Sequence, residues 1–254
     1  MNTILLIAGN TFKETIRSKV LYNILLFAIG VIFLSISFGE WSVFARVQVM
    51  EDFGLATMSI AGLLLAVFIG VGMLGREIAN KTCYNVLSKP VRRYQFVAGK
   101  FLGLTTTLLL NFAIMAAVFW GTIAYMGGQV KVSLLAAVIL LLVELAVVVS
   151  VSILFSVVTT PTLAAVFTLG FYIIGHYNDM LEVSLMKQQN PMWEGVLKTI
   201  YFLLPNLEHF NVRARVVYGL GVGWDYVGLS VLYGALYTGL FLLVASVMLD
   251  RKDL

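Results

Sequence analysis

Residues 76–103 read REIANKTCYNVLSKPVRRYQFVAGKFLG, and this is the one long polar interruption between two apolar runs of membrane length. It holds six of the seventeen basic residues: Arg76, Lys81, Lys89, Arg92, Arg93 and Lys100. Short flanks rich in Lys and Arg resist translocation, so this loop is expected on the cytoplasmic side. Within it, Ile78, Val86 and Leu87 stand among polar residues and suggest a short surface helix. Ser88-Lys89-Pro90 then disfavours helix at Lys89 and marks a sharp turn. Beyond the turn, Gly99 and Gly103 form a small-residue pair at the spacing that lets one membrane helix approach another closely.

The rest of the composition agrees with that reading. With 60% hydrophobic and 12% charged residues and a mean hydropathy of +0.95, 254 residues cannot bury their apolar surface in a soluble core. The chain therefore reads as all-α, a polytopic membrane protein. A net charge of +4 does not indicate nucleic-acid binding, because the basic residues cluster beside apolar spans, where they set topology. The single cysteine, Cys83, allows no internal disulfide and reads as a small half-buried residue of the loop helix.

Six transmembrane helices are expected, near 20–38, 57–75, 101–126, 133–157, 160–177 and 226–248, since roughly 20 apolar residues cross a bilayer. They make residues 1–254 a single transmembrane domain. Residues 1–19 carry Ile4, Leu5, Ile7, Ala8, Phe12 and Ile16 against Asn10, Lys13, Glu14, Arg17 and Lys19, the pattern of an N-terminal interfacial amphipathic helix. The following apolar run is too long for a cleaved signal, so the N-terminus is expected to stay in the cytoplasm. The segments assigned inside hold eleven Lys and Arg and those assigned outside hold six, which puts both termini in the cytoplasm. Gly127-Gly128 reads as a tight outer turn and Thr159-Thr160-Pro161 as a brief inner one. Residues 39–56, with Glu40, Arg46, Glu51 and Asp52, read as a partly helical outer connection. No internal repeat, low-complexity tract or soluble-domain boundary is visible.

Residues 178–225 form the one sizeable extracytoplasmic segment. Asn190-Pro191 offers a helix start, with Met192, Trp193, Val196, Leu197, Ile200 and Tyr201 at helical spacing before Pro205 stops the run. A second short helix from Asn206 would carry Phe210, Val212 and Val216, with Arg213 and Arg215 near its end. Neither is long enough to span, so a pair of short re-entrant helices is expected. Trp193, Tyr201, Pro205 and Arg213 are the candidate outer-gate residues, and a surface anchor without a gating role is the alternative.

No motif supports chemistry by this chain alone. Only His176 and His209 are present, and there is no His-Glu-x-x-His pair, no paired cysteines and no phosphate-binding glycine loop. No catalytic residue, metal site or bound cofactor is expected. Glu208-His209 reads as a solvated helix end. Glu144 differs, because it lies well inside an apolar run, where burial as an anion costs at least a few kcal/mol. It must find a partner, face water or stay protonated. A place on a substrate or proton pathway is the functional reading; a hydrogen bond to a neighbouring helix, near Thr105 to Thr107 or Tyr172, is the structural one. The structural reading is favoured, since isolated polar residues commonly join membrane helices.

In order along the loop, Arg76-Glu77, Leu87-Ser88-Lys89-Pro90, Arg93 and Gly99-Lys100 resemble the membrane subunits of ABC-2 type export transporters. The layout of the ends is similar too, with Asp250-Arg251-Lys252-Asp253-Leu254 just after the last run. That resemblance implies a cytoplasmic coupling helix in residues 76–100, with Glu77, Asn80, Lys81, Leu87, Ser88, Lys89, Pro90 and Arg93 contacting an ABC ATPase subunit. It implies two ATPase copies that bind ATP and Mg, and a second permease subunit, the same or related, in a bacterial cytoplasmic (inner) membrane. Membrane lipid and a possible extracytoplasmic accessory protein complete the expected partners. The alternatives are a non-transporting subunit that transmits ATPase motion to extracytoplasmic partners and, further off, an intramembrane enzyme. The substrate is not legible in the sequence.

The orientation has a direct check. Cys83 should react with a membrane-impermeant thiol reagent only after the membrane is opened, and labelling in intact cells would reverse the assignment.

Overall fold

A computed structural model describes residues 3–41, 45–79, 92–129, 131–178 and 204–251, with the backbone alone for 73–79. In chain order the helices are α1 (Thr3–Ile16), α2 (Lys19–Trp41), α3 (Arg46–Ala79), α4 (Arg93–Tyr125), α5 (Val132–Val158), α6 (Pro161–His176), a 3-10 turn (Leu207–Phe210), α7 (Arg213–Val217) and α8 (Trp224–Arg251). Among the described residues, five helices are long and apolar enough to cross a membrane: α2, α3, α4, α5 and α8. The expected fifth span, 160–177, corresponds to α6, which is apolar but only 16 residues long. Asn80 to Pro90, Trp193 and Tyr201 lie outside the described residues.

α5 is the centre of the bundle. Its sequence is apolar on every side, which suits a helix enclosed by others, and α3, α4, α6 and α8 all pack on it. α2 and α8 instead present wide apolar faces outward, including Leu26 at 75% exposure and Leu229, Leu236 and Leu243. Such surface has no place in water and fits hydrocarbon.

Close approach is made possible by glycine. A Cβ on Gly54 of α3 would lie 2.1 Å from the Phe119 ring of α4, one on Gly62 would lie 2.4 Å from Leu145 of α5, and one on Gly70 would lie 1.9 Å from the Ser152 hydroxyl. Three helices thus meet along one line of missing side chains, where dispersion replaces the hydrophobic drive that lipid does not supply.

The Gly99 and Gly103 pair works the same way, and its partner is α1. A Cβ on Gly99 would fall 2.7 Å from Ile7, and one on Gly103 would fall 2.7 Å from the Ala8 carbonyl oxygen. Thr11 and Thr15 are the buried residues of α1, while Leu5 and Leu6 are exposed. The amphipathic stripe is therefore divided, with one edge on α4 and the other turned outward.

The ends of the helices follow from local chemistry. Gly127 takes φ +75°, and the Gly128 and Gly127 N–H groups donate to the Ile123 and Ala124 carbonyls at 2.9 and 3.1 Å, a Schellman stop for α4. Thr159 and Thr160 separate α5 from α6, whose first residue is Pro161. α3 begins at Arg46, eleven residues before the expected span, so the helical part of the 39–56 connection, with Glu51 and Asp52, is continuous with the span. Both acids have cationic partners there. Lys131 Nζ donates to the fully buried Glu51 at 2.9 Å, and Arg213 grips Asp52.

A paired substitution tests the α1–α4 contact. Gly103→Ala should destabilise the protein by about 1–3 kcal/mol, because the Ala8 backbone must move. Gly121→Ala, with nothing within 4 Å of its Cβ, should be neutral or stabilising by up to about 1 kcal/mol. Equal thermal shifts for the two variants in detergent would rule the contact out.

Candidate functional site

Glu144 lies twelve residues into α5, about 18 Å along the axis from its start. Its side chain is 1% exposed. α6 runs back from the Thr159-Thr160 turn and ends at His176, level with Glu144, where His176 Nε2 stands 3.5 Å from Glu144 Oε1. One turn earlier on α6, the Tyr172 hydroxyl lies beside the Glu144 carboxylate and 3.2 Å from the Ser59 hydroxyl of α3. Ser59, Tyr172, Glu144 and His176 thus form a connected polar cluster inside the bundle. Of the partners expected for Glu144, Tyr172 is in place. The Thr107 hydroxyl instead donates to the Gly103 carbonyl of its own helix at 2.9 Å.

Above the end of α6, the returning chain occupies the space that a longer helix would fill. Leu207 seats on Gly175, whose Cβ would lie 2.7 Å from it. Asn206 caps the 3-10 turn by accepting from the Glu208 N–H at 2.9 Å. The single helix expected from Asn206 is two short pieces, because Asn211 and Val212 interrupt it. Arg213 consequently begins the second piece, and Pro205 is buried just before the first. Irregular backbone at this depth needs protein partners, and tyrosines of α8 supply them. The Tyr233 hydroxyl accepts from the Asn206 N–H at 2.9 Å, and the Tyr226 hydroxyl donates to the His209 carbonyl at 2.6 Å.

Between this roof and Glu144 is a cavity of about 190 Å³, lined by Ser59, Glu144, Tyr172, His176, Asn211 and Arg213 together with apolar residues of α3 and α5. That is room for several waters among polar groups able to hold them. A second, more open hollow of about 480 Å³ lies beyond the roof, against Gln48, Asp52 and Tyr218. Asn211 and Arg213 line both. Arg213 is fixed there by two parallel bonds to Asp52, Nε to Oδ1 at 2.5 Å and Nη2 to Oδ2 at 2.6 Å, the bidentate geometry that makes such pairs directional.

At the other end of the bundle, Glu77 falls in the last turns of α3, with its side chain beyond the described part. Arg93, at the start of α4, donates to the Leu249 carbonyl and pairs with Asp250 at 3.2 Å. It joins α4 to the end of α8.

A polar cluster sealed in an apolar bundle, with broken helices above it, is an arrangement of membrane transport proteins, and a family model of ABC-2 family transporter proteins matches residues 5–254. The chain belongs to the ABC-2 transporter family. It is a multi-pass membrane protein and the permease subunit of an ABC transporter. Membership implies association with an ABC ATPase subunit, which is distinct from the permease. No curated protein matches the chain.

The sequence of this permease marks Glu144 and Arg213, with Tyr172 as a partner for Glu144, but not their other partners. Ser59, His176 and Asp52 carry no local signal, because they meet Glu144 and Arg213 only through packing between helices far apart in sequence.

The cluster predicts unequal tolerance at Glu144. Glu144→Gln keeps an acceptor for Tyr172 and should fold normally. Glu144→Leu leaves the buried hydroxyl without that acceptor and should cost on the order of 1 kcal/mol or more. A Leu variant as resistant to denaturant as wild type would show that the Tyr172 contact contributes nothing.

Proposed function

We propose that this chain forms, with a second copy or a related subunit, the membrane part of an ATP-driven exporter in a bacterial cytoplasmic membrane. The observation that carries this reading is the roofed cavity at Glu144, closed by a latched Arg213–Asp52 pair, in a chain of the ABC-2 transporter family. The end bearing residues 76–100 faces the cytoplasm, as do both termini. α6 together with the pieces that roof it makes the fifth crossing in chain order, and Pro205 and Arg213 belong to an outer gate with Trp193 and Tyr201. The enclosed cavity of about 190 Å³ is smaller than the roughly 300–1,000 Å³ of small-molecule sites. A substrate-sized pathway would therefore lie between two permease subunits.

Residues 76–100 act as the coupling element. Glu77, Asn80, Lys81 and the Leu87-Ser88-Lys89-Pro90 turn insert into a cleft on each of two ATPase subunits, which bind the ATP and Mg. Arg93 passes the motion on through its contacts with α8.

The same cavity size also favours a second reading, in which the subunit carries no cargo and transmits ATPase motion to an extracytoplasmic partner. Both readings require docking, so docking is the first test. Deleting residues 78–88, or combining Glu77→Lys with Leu87→Asp, should abolish copurification with the ATPase and stimulation of its hydrolysis while membrane insertion persists. Survival of both would remove the coupling role from this loop.

A further inference from the structure

The His176 ring has an acceptor on each side. Nδ1 is 3.2 Å from the Tyr172 carbonyl oxygen, and Nε2 is 3.5 Å from Glu144 Oε1. A carbonyl oxygen only accepts, so Nδ1 must carry a hydrogen to make its contact. In a neutral imidazole the other nitrogen is then a bare acceptor, and it would face a carboxylate oxygen lone pair to lone pair. The other tautomer moves the same conflict to the carbonyl. Oε1 of Glu144 is buried and has no hydrogen bond among the described residues, so nothing else there offsets the repulsion.

One added proton removes the conflict in either of two ways. An imidazolium donates from both nitrogens, or a protonated Glu144 donates its O–H to Nε2 while Nδ1 donates to the carbonyl. In both states the pair is electrically neutral, which is the form that a low-dielectric interior favours. We propose that Glu144 and His176 together bind one proton at neutral pH, forming a proton site on the floor of the roofed cavity.

The surrounding charges fit a neutral pair. From α3 comes Asp52, already held by Arg213 of α7. Glu208 of the 3-10 turn accepts from Asn211 Nδ2 at 2.9 Å, and it is close enough to act on Glu144 as a second negative charge. Arg215 stacks on Tyr226, 5.7 Å from its ring, and His209 meets the edge of Tyr233. α6 adds Tyr172, and α8 adds Tyr233 and Tyr237 among its polar side chains at this depth. The cations of α4, Arg93 and Lys100, belong to its first two turns at the far end of the bundle. Ionising the pair would place an uncompensated negative charge between Tyr172 and Glu208. The proton belongs to the pair as a unit, and the cavity has room for water beside it. This assignment holds whether the subunit carries cargo or only transmits force.

The protein has only two histidines, so the His209→Gln variant of the full chain, labelled with 15N-histidine, reports His176 alone. Ring nitrogen resonances and the infrared carboxyl bands that disappear in Glu144→Gln should be recorded at about pH 7. The expected result is either a doubly protonated ring beside an ionised Glu144 or a singly protonated ring beside a carboxylic acid. Raising the pH should change both signals in one joint step. A singly protonated ring beside an ionised Glu144 at about pH 7 would overturn the proposal. The readout on the protein with Glu144 intact keeps the test valid even if the Gln variant is poorly folded.

Discussion

The close approach of α3 to α4 and α5 is the constraint on which the rest of this structure depends. Lipid offers no hydrophobic gain for bringing two apolar helices together, so contact must come from dispersion at short range. Gly54, Gly62 and Gly70 provide that range, and the Phe119, Phe112, Leu145 and Ser152 side chains occupy the space their Cβ atoms would fill. With α3 seated this deeply, α5 is enclosed on the side that carries Glu144. A carboxyl group in the middle of an apolar helix then has protein around it, and Tyr172 and Ser59 are brought within reach. A bulkier residue at Gly62 would part the three helices at about the depth of this cluster.

The irregular chain above α6 obeys the same scarcity of water. Asn206, Asn211 and the backbone between them sit beside helix interiors, where an unpaired N–H or C=O costs several kcal/mol. Their partners are local, through the Asn206 cap, and distant, through Tyr226 and Tyr233 of α8. α8 therefore has two roles on adjacent faces. One face is a lipid-facing wall of leucines, and the other satisfies a segment that could not otherwise lie at this depth.

Much of the fold is legible in the sequence because membrane helices announce themselves by long apolar runs. Gly99 and Gly103 mark a close contact, Gly127-Gly128 marks a stop, and Asn206 marks a start, each through properties of the residue itself. What the sequence hides is tertiary. Glu51 and Asp52 read as part of a partly helical connection because charged residues seldom continue a span, and the cations that let them belong to the spanning helix itself come from Lys131 and Arg213, 80 and 161 residues away. His176 stands out by type, but nothing local says that its ring meets Glu144. The break at Asn211 and Val212 turns one expected helix into two pieces, because tertiary seating on α6 and α8 outweighs the local preference for a continuous run.

The joint between Arg93 and the end of α8 has a mechanical meaning. α4 begins directly after the polar loop, and its first side chain holds the last turn of a helix 28 residues long. At 1.5 Å per residue that helix is a lever arm of about 42 Å. Pivoted on α5, where Gly234 packs against Val143, it would translate a tilt of about 5° into a displacement of roughly 2 Å at the Arg251 end and about 1 Å at the Trp224 end, by helix geometry alone. The far tip carries Tyr226, whose hydroxyl holds the backbone of the roof. A small push at one surface of the bundle thus has a rigid path to the cover of a buried acid on the other side.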